Sequence, residues 1–424
     1  MKGDFSRFSF RPDRHYTGVF LQQGRPQLDS DWNEQTSITS AALRALARDL
    51  FGPHGGPGDG FAISSLLDQS GRPSPWDFVV GAGCYYVQGI RCLNATAWRY
   101  RAVTDALGCG QDNLDVPGSY LVYLEVWDRE VTVVEDPDLL EPAMDGVDAS
   151  TRLQVVWRVR LLCLDDRSEV EAESGSPERS IAVAFPPGAS RLRARVDPDG
   201  GGYRGAENHL YRVEIHAGGK QGDATFVWSR DNGSVVAPVQ AAQDDRIVID
   251  PRWRGSQERR FDLGCWVEPQ DDIASRCGRT APLLRIEAVE DGGRLVVSPG
   301  WPLESPDPAS HPLIRRWDHA EAGDPNREGA IPLEEGPWID LENGIQIAFE
   351  EGGDYRAGDS WVIPARAVTN WIEWPTGADG PSPRPPYCVD HHRAPLALVT
   401  VDGGGAVRVA LDLRRVFRRM DDLT

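Results

Sequence analysis

Lysine is almost missing from this chain. Of 45 cationic side chains only Lys2 and Lys220 are lysines, and methionine occurs three times. Arginine's planar fork suits bidentate carboxylate pairing. The same bias toward arginine, alanine, glycine and proline is also what a GC-rich genome produces, so the arginines by themselves assign no function. Long apolar runs are missing too. No window approaches the roughly 18 residues that a membrane helix needs. Behind Met1, Lys2, Gly3, Asp4 and Phe5 there is no apolar segment, which argues against a secretory signal. The expectation is synthesis and folding in the cytosol, with any exit by lysis or as part of a particle.

The seven cysteines, Cys84, Cys92, Cys109, Cys163, Cys265, Cys277 and Cys388, contain no Cys-x-x-Cys pair. Their odd number in a long chain speaks against a disulfide scaffold or a zinc ribbon and predicts small core residues in a reducing compartment. No phosphate-cradling glycine loop with its lysine is present, and no dinucleotide fingerprint; no cofactor is expected. Net charge is −20, and no basic stripe with interleaved aromatics offsets it, so a nucleic-acid partner is not expected. The densest basic patch, Arg414, Arg415, Arg418 and Arg419, reads as a solvated helix or tail paired with nearby acids.

What the chain has in quantity is turn chemistry: 44 glycines and 32 prolines, with 14 tryptophans among short apolar runs. That pattern predicts a mainly β protein of several antiparallel sandwich- or barrel-like modules, preceded by an N-terminal arm and one amphipathic helix. Residues 1–60 are expected to hold the arm and helix, 61–165 a β-rich module, 166–181 a polar linker or loop, 182–300 a second module and 301–424 a C-terminal one. Expected hairpins join Phe78–Gly83 to Cys84–Cys92, Gly344–Phe349 to Ser360–Ile363, and Leu396–Val401 to Val407–Leu411. Tyr120–Trp127 and Leu153–Leu161 alternate as strands.

The opening segment is the most specific part of the sequence. An extended run from Tyr16 through Val19, Phe20 and Leu21 reaches Gly24 and Leu28, then the helix-starting residues Asp29, Ser30 and Asp31, with Trp32 and Glu34 behind them. Asp31 and Glu34 have capping-box spacing. Ile38, Ala41, Ala42, Ala45, Leu46 and Leu50 then keep one helical face until Gly52 and Pro53 stop it. Spaced aromatics at Phe5, Phe8, Phe10 and Tyr16 are the anchors expected of a docking arm. The same spacing also fits a helix packed on its own domain.

This opening resembles an uncharacterised bacterial family encoded with phage-tail-like contractile injection systems, with a looser echo in bacteriophage baseplate and fibre proteins. Tyr123–Arg129, Gly202–His216, Thr225–Gly233, Tyr355–Trp361, Pro364–Arg366 and His391–His392 extend the likeness over nearly the whole chain. The resemblance implies a baseplate, adaptor, cap or fibre-attachment subunit that docks to other subunits of one particle. It further implies a homo-oligomer of three or six copies; no membrane insertion is expected from the hydropathy pattern, and no catalysis from the residues weighed below. Its partner-docking residues would be Phe5, Phe8, Phe10, Tyr16, Val19, Phe20, Leu21, Leu28 and Trp32.

Three constellations carry the enzymatic alternatives. Glu125, Glu135, Asp136, Asp138 and Glu141 with Trp127 nearby have the residue types of a glycoside hydrolase, but their opposed separation is not legible. Cys388, Asp390, His391 and His392 are weak metal candidates, since adjacent histidines on a strand point to opposite faces. Ser229, with Asp231, His209 and His216, sits in a strand followed by an Asn-Gly turn rather than on a nucleophile elbow. A carbohydrate- or cell-surface-binding module is the remaining rival, and it needs Trp32, Trp127, Trp266 and Trp361 to lie coplanar on an open groove.

Overall fold

A computed structural model describes residues 1–102, 114–144, 146–164, 176–186, 188–250, 261–302, 306–319, 329–387 and 389–418. The protein is mainly β, and its strands form three bodies, each later one inserted into the sequence of the one before rather than following it. The outermost body is closed by strands from both ends of the chain. Gly118–Val131 pairs with Arg152–Cys163 on one side and with His392–Val401 on the other, and Val407–Asp412 completes this antiparallel sheet. Tyr120, Val122, Leu124 and Val126 meet Phe61, Phe78, Tyr85, Leu396 and Val399 in one core. The alternate residues Leu121 and Tyr123 pack under Ile181 on the opposite face. Both faces are therefore covered, which is why Tyr120–Trp127 is buried throughout.

Inserted in the sequence of that body is a sandwich. His209–Ala217 is flanked by Thr225–Ser229 and Ser360–Arg366, and this sheet shares a core with the sheet of Leu192–Val196 and Ile345–Phe349 through Tyr211, Phe226, Phe349 and Trp361. Between Thr225–Ser229 and Ile331–Pro332 the chain leaves to build a six-stranded closed antiparallel barrel. Inward residues Val239, Ile247, Val267, Ile286, Leu295 and Ile314 fill it, as a barrel this narrow requires.

Several expectations change with this arrangement. The module expected at 301–424 is divided among all three bodies, because pairing partners lie far away in sequence. Phe78 and Cys84 belong to strands of separate sheets that do not pair with each other: Pro73–Val80 pairs with Ile63–Leu67, and Gly83–Val87 forms its hairpin with Ile90–Asn94. Ile345–Phe349 and Ser360–Arg366 occupy different sheets of the sandwich and make no hairpin. The hairpin of His392–Val401 with Val407–Asp412 forms as expected. Of the expected linker 166–181, the last residues start a helix, Pro177–Ala184, capped by the Ser176 hydroxyl. Cys277 is disulfide-bonded, which composition did not foresee.

The long helix runs from Asp29 to Phe51 and ends at Gly52. Asp31 accepts the Leu28 N–H at 3.4 Å, so the cap lies one residue ahead of the expected cluster. Ile38 is buried and Phe51 stacks on Phe417 at 4.5 Å. Gly89, in the left-handed region, lets the helix in, since a side chain there would strike the Arg44 carbonyl.

Candidate functional site

The first residues of the chain are held in a polar seat where the sandwich meets the barrel and the outer sheet. Lys2 Nζ donates to Glu214 Oε1 at 2.7 Å and lies 5.3 Å from the Trp317 ring. Its backbone N–H donates to Glu130 Oε2 at 2.5 Å. Asn232 Nδ2 donates to the carbonyls of Met1 and Gly3, at 3.2 and 2.8 Å. A Cβ on Gly3 would lie 2.5 Å from the tip of the Phe5 ring and 2.7 Å from Glu130 Oε1, so a larger residue there would have to displace both side chains. Burial alone would raise the Glu214 carboxyl, but Lys2 and Arg212 overcome it and hold the group down to about 2. Burial pushes Lys2 itself below its ordinary value. Further along, Arg366 donates to the Ser6 carbonyl at 3.0 Å, and Phe8 stacks on Tyr387 at 5.5 Å with Phe5 edge-on to it.

Of the nine expected docking residues, Phe5, Phe8 and Phe10 are thus half-buried on the protein's own body. Val19 is half-buried as well, its N–H donating to Gln35 Oε1 at 2.7 Å where the arm crosses the helix. Tyr16, Phe20, Leu21, Leu28 and Trp32 face solvent, Phe20 at 93% exposure and Trp32 at 66%.

The helix adds a feature that periodicity did not isolate. Ile38, Ala41 and Ala45 turn toward the body, whereas Leu46 and Leu50, expected on that same face, are exposed. With Trp32 and Leu43 they are spaced eleven, three and four residues apart, which places all four on one outward stripe. The helix is therefore apolar on two sides, and one side is uncovered among the described residues. The sequence signal was present in Leu43, whose phase differs from that of Ile38.

The enzymatic constellations resolve into structural ion pairs. Glu125 is buried and binds Arg158 Nε at 2.7 Å, Arg393 Nη2 at 2.6 Å and His391 Nδ1 at 3.3 Å. Burial opposes its charge, yet His391, Arg158 and Arg393 keep the carboxyl far below the usual range. Glu135 pairs with Arg129, while Asp136 and Glu141 accept local backbone N–H groups. His391 stacks on Trp127 at 4.8 Å. Cys388 lies outside the described residues, and among the described ones no cluster of metal-ligating side chains forms.

Ser229 is fully buried and donates to Asp318 Oδ2 at 3.1 Å instead of to an imidazole. His209 binds Asp231 Oδ1 at 3.2 Å, which raises its pKa, and His216 pairs with the Ala281 carbonyl at 2.9 Å. His209 and Asp231 help to wall a cavity of about 890 Å³ under the arm, lined also by Phe5, Leu28, Arg230 and Arg366. Arg230 is bound to Glu342 at 2.8 Å, Asp231 to Arg316 at 3.1 Å and Arg366 to Glu373 at 2.7 Å. The cavity is a joint between arm and sandwich more than a pocket of poised groups. Of the C-terminal arginines, Arg414 binds Asp412 at 2.8 Å and Arg415 approaches Glu178 at 3.6 Å, and Arg419 lies outside the described residues.

Seat residues Glu214 and Asn232 both fall within the stretches 202–216 and 225–233 that stood out in the sequence. A family profile matches residues 1–175 and 193–408. The chain belongs to a family of unknown function, DUF6519. No curated protein and no solved structure matches it. In this family member the profile takes in the arm, the helix, the seat and nearly all of the three β bodies.

Proposed function

We propose that this chain is a structural subunit that works by docking: its arm and helix, residues 11–51, engage neighbouring subunits of a phage-tail-like contractile injection particle. The carrying observation is the exposed apolar series Tyr16, Phe20, Leu21, Leu28, Trp32, Leu43, Leu46 and Leu50. Burying one such side chain is worth roughly 1.5–3 kcal/mol, and association costs about 4–15 kcal/mol in lost freedom. One residue cannot meet that cost and eight together can. The motif resemblance supports the particle context, a repeated homo-oligomeric arrangement of three or six copies, assembly in the cytosol and release as part of an extracellular particle. The position could be baseplate, adaptor, cap or fibre attachment.

The glycan-binding rival loses its platform, since Trp127 and Trp361 are buried, Trp266 stacks on His319 at 5.8 Å, and of the four only Trp32 is open. The test replaces Phe20, Leu21, Leu46 and Leu50 by serine in the full chain and follows sedimentation with the particle. Incorporation should fail while the far-UV spectrum stays that of the parent. Normal incorporation of this variant would end the docking proposal.

A further inference from the structure

We propose that the polar seat is an exchange site, which in the assembled state takes the leading segment of a second copy of this chain. The inference rests on the docking reading and names its partner.

Almost every bond that holds residues 1–8 comes from groups distant in sequence. Glu214 and Trp317 take the Lys2 ammonium, Asn232 reads two backbone carbonyls, Arg366 takes the Ser6 carbonyl and Tyr387 takes the Phe8 ring. A second copy's segment would present the identical groups, so the seat makes the same contacts in trans as in cis. That equality makes exchange of an identical element a low-cost route to association.

The helix keeps its own hold on the body through Arg44 with Asp128 at 2.7 Å and through Phe51, so the segment can leave without it. Between the two lie residues 11–28, which form no strand and only the short turn Pro12–Arg14. Fully extended at about 3.3–3.6 Å per residue, this linker spans about 60 Å, enough to reach an abutting copy. Its composition is unlike that of a connector that stays in water. Tyr16, Phe20, Leu21 and Leu28 are exposed when the segment is seated in cis, and a crossing between two copies is where they would be buried.

The scarcity of lysine gives a direct test. Zero-length carbodiimide coupling joins an amine to a carboxylate in contact; Lys2 and Lys220 are the only lysines, and fragmentation of the crosslinked peptide separates a Lys2–Glu214 bond from one made by the Met1 amine, which also lies near Glu214. Full-length natural-abundance and isotope-heavy copies are combined under dissociating conditions, returned to assembly conditions and coupled. Exchange predicts that about half of the Lys2–Glu214 pairs join a heavy to a light peptide. A protein that associates yet yields only heavy–heavy and light–light pairs overturns exchange and leaves docking intact. One that stays monomeric at every concentration overturns it as well, and docking is then decided separately by particle incorporation of the serine variant.

A second arm of the test uses Lys2→Glu and Glu214→Lys chains. After carbodiimide coupling neither chain alone should give a Lys2–Glu214 crosslink, and the equimolar mixture should give one between chains, because one chain supplies an intact seat and the other an intact leading segment. The Lys2→Glu, Glu214→Lys double variant serves as the folding control; if it folds and the mixture gives no such crosslink, exchange is overturned.

Discussion

Residues 1–10 and residues 16–50 are neighbours in sequence and opposites in bonding. The first stretch is held by charge and direction: an ammonium between a carboxylate and an indole, two carbonyls read by one amide, and aromatic rings on Tyr387. The second offers Phe20, Trp32, Leu43, Leu46 and Leu50 to solvent, held by Val19 on Gln35, Arg44 on Asp128 and the helix's inner face. Polar groups that lose water are costly unless every one finds a partner in fixed geometry, so the first stretch specifies one location. Apolar surface is non-directional, so the second can serve a partner without a seat shaped for it. An anchor followed by an adhesive strip is the division of labour this contrast teaches.

The contrast can be broken at its anchor end with the largest effect. Glu214→Ala leaves the Lys2 and Arg212 cations buried without their shared carboxylate, and removing one partner of a buried pair costs about 3–5 kcal/mol. The urea midpoint of the sandwich should fall accordingly, and a loss below about 1 kcal/mol would mean that the seat is not closed in solution.

Acid should act on the same bond. The Glu214 carboxyl is held below its ordinary 4.5, at about 2, so its contribution is complete above pH 4.5 and is lost as pH falls through 2. Hydrogen exchange at residues 1–10 should rise across that window, and protection unchanged at its acid end would contradict the ion pair.

Lys2→Ala is milder, because Arg212 Nε still binds Glu214 at 2.5 Å. A loss of about 2–3 kcal/mol, with protease cleavage appearing before residue 10, is expected; a variant as resistant as the parent would show that Lys2 is not what ties the segment down. At the other end, Leu43→Gln, Leu46→Gln and Leu50→Gln should each change the stability of the isolated chain by no more than about 0.5 kcal/mol. A loss of 2 kcal/mol in thermal unfolding from any of them would show that the outward stripe is already covered within the chain.

Local elements were legible because their causes are local. The helix stops at Gly52 and begins within a residue of the expected cluster, since its capping residues and its stop are adjacent in sequence. The hairpin around Asp402–Gly405 was legible for the same reason, with Asp402 Oδ1 accepting from Gly404 and Ala406 at 2.9 Å. The hairpin expected across Gly352 and Gly353 failed because a turn signal does not say whether the next strand pairs with the last one or crosses to the facing sheet. Trp127 and His391, read as parts of two separate chemistries, turn out to stack on one another beside Glu125.

Sequence alone determined the mainly β class, the extent of the helix and the apolar character of the leading segment, because turn residues, caps and periodicity act within a few positions of themselves. Tertiary structure alone decided that the three bodies are inserted one into another along the chain, that Glu214 and Asn232 receive the first residues, and that the helix turns Ile38 inward and Leu46 and Leu50 outward. Those outcomes depend on which distant strand or face is met, as Tyr120 meets Val399. Alternation along a strand records that a side chain is buried, and carries nothing about what buries it.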